Sequence, residues 1–483
     1  MTSGAFLSYD GVMPLYDIAF YYASFFLAGA AFAGLGANPK LILFAVVTGI
    51  VVMAATGFIK KSAKCVIFSG LLLAVPGGFF YYHFYFAWQG QVGEVGSSVE
   101  VVGVVASYPE WRLGSQRFDV DLKEPDRGRV SVLASAYPRF MYGDVLRMRG
   151  TREAVRPGLV RMAFPVVEKI GHEEGSRVKR FLFAWREHMV GTFQRVLSPG
   201  EAALLAGLTF GDRAGFSKEF QEALQKSGTT HIVALSGQNI ALVVSLVGVL
   251  CAYVFSRRAS FFVSIGVIML FVTATGAEAS AVRAAIMGVI ALLALHVGRL
   301  YSFRNAITFA AFFMVLANPR VLVFDIGFQL SFAALLGIVY LLPAMKTFFG
   351  ISKERGLLGW RENALASSAA QLAVLPIILK YFGAFSLLSL PANVMILEVV
   401  PILTILGFLL GFLGYISGFL STLLGMGVHL LLGYVVGIIH FFSRIALPLS
   451  FPASNSVICV YYLFLVGFVW YVHHRAKEKM KPI

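Results

Sequence analysis

The residues of this chain best suited to chemistry are polar side chains gathered at the start of an apolar helix. The stretch from Gly211 to Ile240, GDRAGFSKEFQEALQKSGTTHIVALSGQNI, runs from a polar turn into a hydrophobic window. It carries Asp212, Arg213, His231, Ser236, Gly237, Gln238 and Asn239. Inside a bilayer each such group must find a partner or line a water-filled path, because hydrocarbon offers no hydrogen bonds. At about 100° per residue His231 and Gln238 share one face, with Ser236 and Asn239 to its side. Gly237 lets a helix break there or lets another backbone approach. Further along, Glu278, Arg283, Asp325 and Glu398 stand in or at the edges of apolar windows, with Gln329, Ser331 and Asn393 as neutral polar companions. Arg283 and Asp325 each come roughly four residues into their windows, about 6 Å deep at the helical rise. An ion pair between them is expected, since a lone charge at that depth is costly.

Three chemistries are open to these groups: a path for a polar or charged solute, hydrogen bonding that ties helices together, and a minor reading as an intramembrane hydrolase built on Ser236, His231 and Asp212. The spacing of that last group matches no established triad. The nine histidines form no HExxH, and there is no Walker loop or nucleophile elbow. No catalytic residue, metal site or cofactor is therefore expected, and transport must draw on a gradient or on a separate partner.

The elements that must position these residues follow from composition. The chain has 483 residues, 58% hydrophobic and 13% charged, with a mean hydropathy of +0.78. This places it in the polytopic membrane class. Its formal charge of +15 is absorbed largely by cytoplasmic loops under the positive-inside bias. Cys65, Cys251 and Cys459 all lie in apolar windows and imply no disulfide framework. The N-terminus carries no pattern of a removable signal peptide.

Windows of roughly 18 to 25 apolar residues give three spans in residues 1–88 and about nine in 231–483, so the expected fold is an α-helical polytopic membrane protein of about twelve spans. Basic clusters at residues 60–64, 257–258, 299–304, 346–361 and 475–481 fall on one side if both termini are cytoplasmic. That topology places residues 89–175 outside the cytoplasm. Short alternating runs there, such as VEVVGVVAS, RFDVDL and RVSVLAS, have strand periodicity and suggest a small all-β domain of the OB type. Its twelve basic and twelve acidic side chains cancel. Within it Arg147, Arg149, Arg152, Arg156 and Arg161 form a candidate nucleic-acid contact, with Tyr137, Phe140 and Tyr142 nearby for stacking. Residues 176–230 read as amphipathic interfacial helices; the first sets Phe181, Trp185, His188 and Val196 against Lys179, Arg180, Arg186 and Arg195 and is expected to lie along the lipid surface.

Four segments then carry a resemblance. GLTFGDRAGFSKEFQEALQKSGTTHIVALSGQNIALVV, ASAVRAAIMG, LANPRVLVFDIGFQLSFAALLGI and SLPANVMILEVVP, in that order within residues 200–470, are similar to the signature segments of the ComEC competence family, the inner-membrane DNA channel of natural transformation. The resemblance implies passage of one DNA strand through a bacterial cytoplasmic-membrane domain, with the β domain receiving DNA. It maps the family motifs onto Asp212, Arg213, His231, Ser236, Gly237, Arg283, Gln329 and Ser331. It implies as partners single-stranded DNA, the lipid bilayer, and separate ATPase or helicase, DNA-receptor and nuclease components. Many members read Ser-Gly-x-His where this chain has Ser236, Gly237, Gln238 and Asn239, so a titrating group is not expected at Asn239. The form expected here also lacks the metallo-β-lactamase-like domain that follows in many members. The alternative function is transport of another anionic polymer or lipid-linked precursor.

Overall fold

The computed structural model describes residues 14–59, 68–88, 96, 98–112, 114–123, 128–156, 159–171, 174–233, 237–297, 302–350, 360–451 and 454–479. In chain order, α1 (Leu15–Gly34), α2 (Pro39–Ile59) and α3 (Ala74–Trp88) precede seven strands: β1 (Ser98–Val105), β2 (Glu110–Arg112), β3 (Ser115–Leu122), β4 (Arg129–Ser135), β5 (Val145–Arg156), β6 (Leu159–Ala163) and β7 (Val166–Gly171). There follow α4 (Arg177–Val196), α5 (Pro199–Phe210), α6 (Lys218–Ser227), α7 (Thr230–Val233), α8 (Gly237–Val254), α9 (Arg257–Ala274), α10 (Ala279–Val297), α11 (Phe303–Ala317), α12 (Val321–Phe324) and α13 (Ile326–Leu336). A π-helical turn, Gly337–Leu341, leads into α14 (Leu342–Phe348); α15 (Trp360–Phe382), α16 (Ser389–Leu397), α17 (Val399–Ile416), α18 (Gly418–Arg444) and α19 (Asn455–Lys479) complete the chain.

Among the described residues eight helices are long and apolar enough to cross a bilayer: α1, α9, α10, α13 continued to Phe348, α15, α17, α18 and α19. Shorter apolar helices cover Pro39–Met53, Asn239–Cys251 and Phe303–Ala317. The chain is thus a mostly helical membrane protein with a separate β region.

Two compact units divide it, one of Met1–Gln91 with Ile286–Gln329, the other of Val92–Ala285 with Leu330–Ile483. In the first, α1 packs against α3 through small residues. A Cβ at Gly29 would lie 1.9 Å from the Val75 carbonyl oxygen, and one at Gly78 2.0 Å from that of Phe26. Helix association in lipid depends on such close backbone approach, because apolar burial gives no preference for protein over lipid. Phe26, Ala30, Ala74 and Val315 form its core. Arg304 pairs with Asp17 and lies 4.3 Å from the Phe20 ring centroid.

The second unit begins with a closed barrel. Strand β1 pairs with both β3 and β5, and the order β1-β3-β4-β6-β5 returns to β1; β4 and β6 are parallel, the other barrel pairs antiparallel. Alternation makes this core: Val101, Val105, Phe118, Val120, Val130, Val132, Leu146, Met148 and Met162 all point inward. Gly103 sits where β1 is shared between two partners, and a Cβ there would meet Val120 at 2.4 Å. The helical body packs around α5, whose residues from Glu201 to Phe210 are all buried. Helix α17 offers it a glycine face: a Cβ at Gly407 would strike Thr209 and Leu205 of α5, one at Gly411 Met189 of α4, and one at Gly414 Thr192 of α4. Helix α4 buries Leu182, Phe183, Arg186, Met189, Thr192 and Phe193 on one side. The face expected from sequence was different: Phe181 is 71% exposed and Arg186 only 5%.

Candidate functional site

Helix α5 ends at Gly211, whose φ of 75° is the left-handed conformation that glycine adopts freely. Asp212 follows and folds back: its Oδ1 accepts the Ala214 N–H at 3.0 Å, and its Oδ2 pairs with Arg186 Nη2 at 3.0 Å. The Arg186 guanidinium also donates to the Ala274 carbonyl at the end of α9, at 3.4 Å, and lies 4.1 Å from the ring centroid of Tyr108, between β1 and β2. Burial pushes the Tyr108 phenol well above its ordinary pKa, against the pull of Arg186. The turn therefore fastens α4, α5, α9 and the barrel at one charged point. Arg213 beside it is exposed. Neither Arg186 nor Tyr108 was expected in this role; the signal was present in the i, i+4, i+7 positions of Leu182, Arg186 and Met189, which place Arg186 on the apolar face.

Helix α6 stops at Gly228, with φ of 71°. A Cβ there would lie 2.4 Å from that of Ser389 and 3.3 Å from that of Ser386, so the turn rests directly on the start of α16. Ser227 and Thr229, both buried, join their hydroxyls at 2.7 Å. Ser386, Ser389 and Asn393 are buried too, and Ser386 Oγ, Ser389 Oγ and Asn393 Oδ1 have no hydrogen-bond partner among the described residues. His231 is exposed in the first turn of α7. Ser236 lies outside the described residues, and only the backbones of Gly237 and Gln238 at the start of α8 are described. Asn239 is 1% exposed. Its Nδ2 donates to the Leu208 carbonyl at 2.8 Å, which ties α8 to α5.

Arg283 is buried in the first turns of α10; it donates to the Ser331 carbonyl and lies 5.6 Å from the ring centroid of Phe332. Glu278 stands just before that helix, where its carbonyl accepts the Val282 N–H. Glu398 is exposed and accepts from Asn363. Asp325 and Gln329 belong to the first unit and act on one helix break. Asp325 has extended backbone between α12 and α13, and its Oδ1 accepts the Phe328 N–H at 3.0 Å. Gln329 Nε2 reaches back to the carbonyls of Val323 at 2.6 Å and Leu322 at 3.4 Å. Between them they satisfy backbone groups that the break exposes. Arg283 and Asp325 thus each have partners within their own unit.

The barrel arginines do not gather on one face. Arg147 is held by Glu100 at 3.5 Å and Glu168 at 3.3 Å; Arg149 is exposed directly opposite Glu100 on β1. Arg152 is 2% exposed, on the inward side of β5 with Leu146 and Met148. Arg161 faces Glu153 across the ladder, and only the backbone of Arg156 is described. Of the aromatics expected to stack, Phe140 is in the core against Phe118, and Tyr142 packs on Phe183 while accepting the Ser176 N–H. Tyr137 alone is exposed, beside Arg139. Among the described residues no three His, Cys, Asp or Glu side chains converge as a metal site requires.

The model of the Competence protein family matches residues 208–476. The chain is also similar to ComE operon protein 3 of Bacillus subtilis (strain 168), 29% identical over 223 residues, which cover 46% of this chain and 28% of that protein. It therefore spans less than a third of that relative's length. No solved structure matches the chain.

Proposed function

The chain belongs to the Competence protein family, and from that premise we propose that it is a polytopic permease passing single-stranded DNA across the bacterial cytoplasmic membrane. One observation carries the reading: the family match, residues 208–476, coincides with apolar helices that hold Asp212, Asn239, Arg283 and Gln329 at helix ends and breaks. Broken helices with satisfied backbone are how membrane proteins build polar paths at depth.

In this proposal about twelve spans leave both termini in the cytoplasm and the barrel outside. The barrel's strand order and its one parallel pair, β4 with β6, support an OB-like domain, which receives DNA and is seated on the helical body through Tyr108 and Arg186. Asn239 and Gln329 act as ties that hold the break geometry, whereas Arg213, His231, Glu278 and Glu398 are the candidates for the path itself. Movement of the strand is driven by a separate ATPase or helicase. A receptor and a nuclease act as further components.

The test is uptake of labelled DNA into nuclease-protected form, in a strain deleted for this chain and complemented with wild type or Arg283→Ala at equal protein level. Wild type restores protected DNA and Arg283→Ala does not. Equal protected DNA in the uncomplemented deletion strain refutes the reading.

A further inference from the structure

A loop of the barrel presents planar groups that neither the core nor the arginine ladder explains. Between β4 and β5, the Arg139 guanidinium lies 5.1 Å from the Trp111 ring centroid and 5.7 Å from that of Tyr137. We propose that Tyr137, Arg139 and Trp111 form a base-stacking platform for single-stranded DNA at the end of the barrel seated on the helical body. The proposal rests on the DNA reading above and deepens it.

Four observations lead there. Tyr137 is 75% exposed and Arg139 is exposed, so neither adds to the barrel core, and their placement calls for another use. The loop that carries them is fixed from beneath: Gln116, fully buried, donates from Nε2 to the carbonyls of Ser135 at 2.8 Å and Pro138 at 2.6 Å, and its Oε1 accepts the Phe140 N–H at 3.1 Å. A platform held this way loses little freedom when it binds. Arg139, unlike Arg147, forms no carboxylate salt bridge among the described residues; its field reaches the Glu187 carboxyl on α4, while its exposed side chain stays within reach of a phosphate. Finally, the rings continue inward. Trp111 lies 5.9 Å from Tyr108, Tyr108 receives the Arg186 guanidinium, and Arg186 pairs with Asp212. The exposed stack is thus the outer end of a ladder that reaches the turn after α5.

The chemistry of this surface fits nucleobases. A base stacks on an open tyrosine face or on a guanidinium plane, and the backbone phosphate meets the arginine.

The full chain in lipid nanodiscs is titrated against labelled oligo-dT and against an abasic phosphodiester of the same length, with dextran sulfate as a third probe. Tyr137→Ala is expected to weaken oligo-dT binding about tenfold and to leave the abasic strand unchanged, whereas Tyr137→Phe binds as wild type. Arg139→Ala weakens both strands. Wild-type binding of oligo-dT that Tyr137→Ala does not alter overturns the platform and leaves the DNA reading standing. Wild type that binds neither strand overturns both. Capture of dextran sulfate in preference to oligo-dT overturns the platform in favour of an anionic polysaccharide.

Discussion

Truncating Asp212 to Ala tests whether the turn after α5 is the charged joint of the second unit. Arg186 and Asp212 are 6% and 16% exposed at the side chain and 3.0 Å apart. Breaking a buried pair by removing one partner costs about 3–5 kcal/mol, because a charge is left uncompensated. Part of that is recovered here. The stranded guanidinium keeps the Ala274 carbonyl at 3.4 Å and the Tyr108 ring at 4.1 Å, and a desolvated cation–π contact is worth up to about 2 kcal/mol. The expected loss for Asp212→Ala is therefore about 1–5 kcal/mol. Arg186→Met is expected to cost less, since Asp212 retains the Ala214 N–H and some access to water. The assay is a double-mutant cycle from reversible unfolding in mixed micelles, with a coupling of at least about 1 kcal/mol between the two sites. Strict additivity, or a loss below about 0.5 kcal/mol for Asp212→Ala, refutes the joint.

Three further outcomes follow from the same geometry. Gly78→Ala sets a methyl group against the Phe26 carbonyl and should cost about 1–3 kcal/mol or more, read as a lowered melting temperature of the purified chain. Gln329→Leu and Gln329→Glu should both destabilise by about 1–3 kcal/mol, because each removes the donor to Val323 and Leu322; rescue by Glu in a thermal-shift series at neutral pH would contradict the donor role. Burial raises the Glu187 carboxyl above its ordinary range, with Arg186 and Arg139 opposing. A raised folded pKa favours the protonated form in the fold, so its stabilisation is full below the ordinary carboxyl range and is lost as pH rises through the raised value. Glu187→Gln should accordingly raise the melting temperature at neutral pH, with the gain fading toward acid; a gain that grows toward acid reverses the assignment.

Helical character and strand alternation were legible in the sequence because both depend on local pattern. RFDVDL and RVSVLAS alternate and form β3 and β4, and the long apolar windows form the long helices. What was not legible depends on partners distant in the chain. Arg186 looked solvated, since its two main partners, Tyr108 and Asp212, lie on other elements. Arg152 was grouped with a basic cluster, although its parity with Leu146 and Met148 already pointed inward. Gln329 was read as a neutral polar companion of the charged residues, but its use depends on the break at Asp325, which no periodicity signals. Of the aromatics expected to stack near the arginine cluster, Tyr137 is the exposed one, and it stands with Arg139 and Trp111. That trio is assembled by a buried glutamine from a neighbouring strand.

The most direct test of the proposed DNA channel is electrical. The purified chain is inserted in a planar bilayer under an applied voltage, and single-stranded DNA is added on the side that carries the barrel. A DNA channel gives discrete conductance with blockades whose duration grows with strand length and changes in Arg213→Ala, at a path candidate. Steady conductance indifferent to DNA, or blockades independent of strand length, contradicts passage of DNA through this chain.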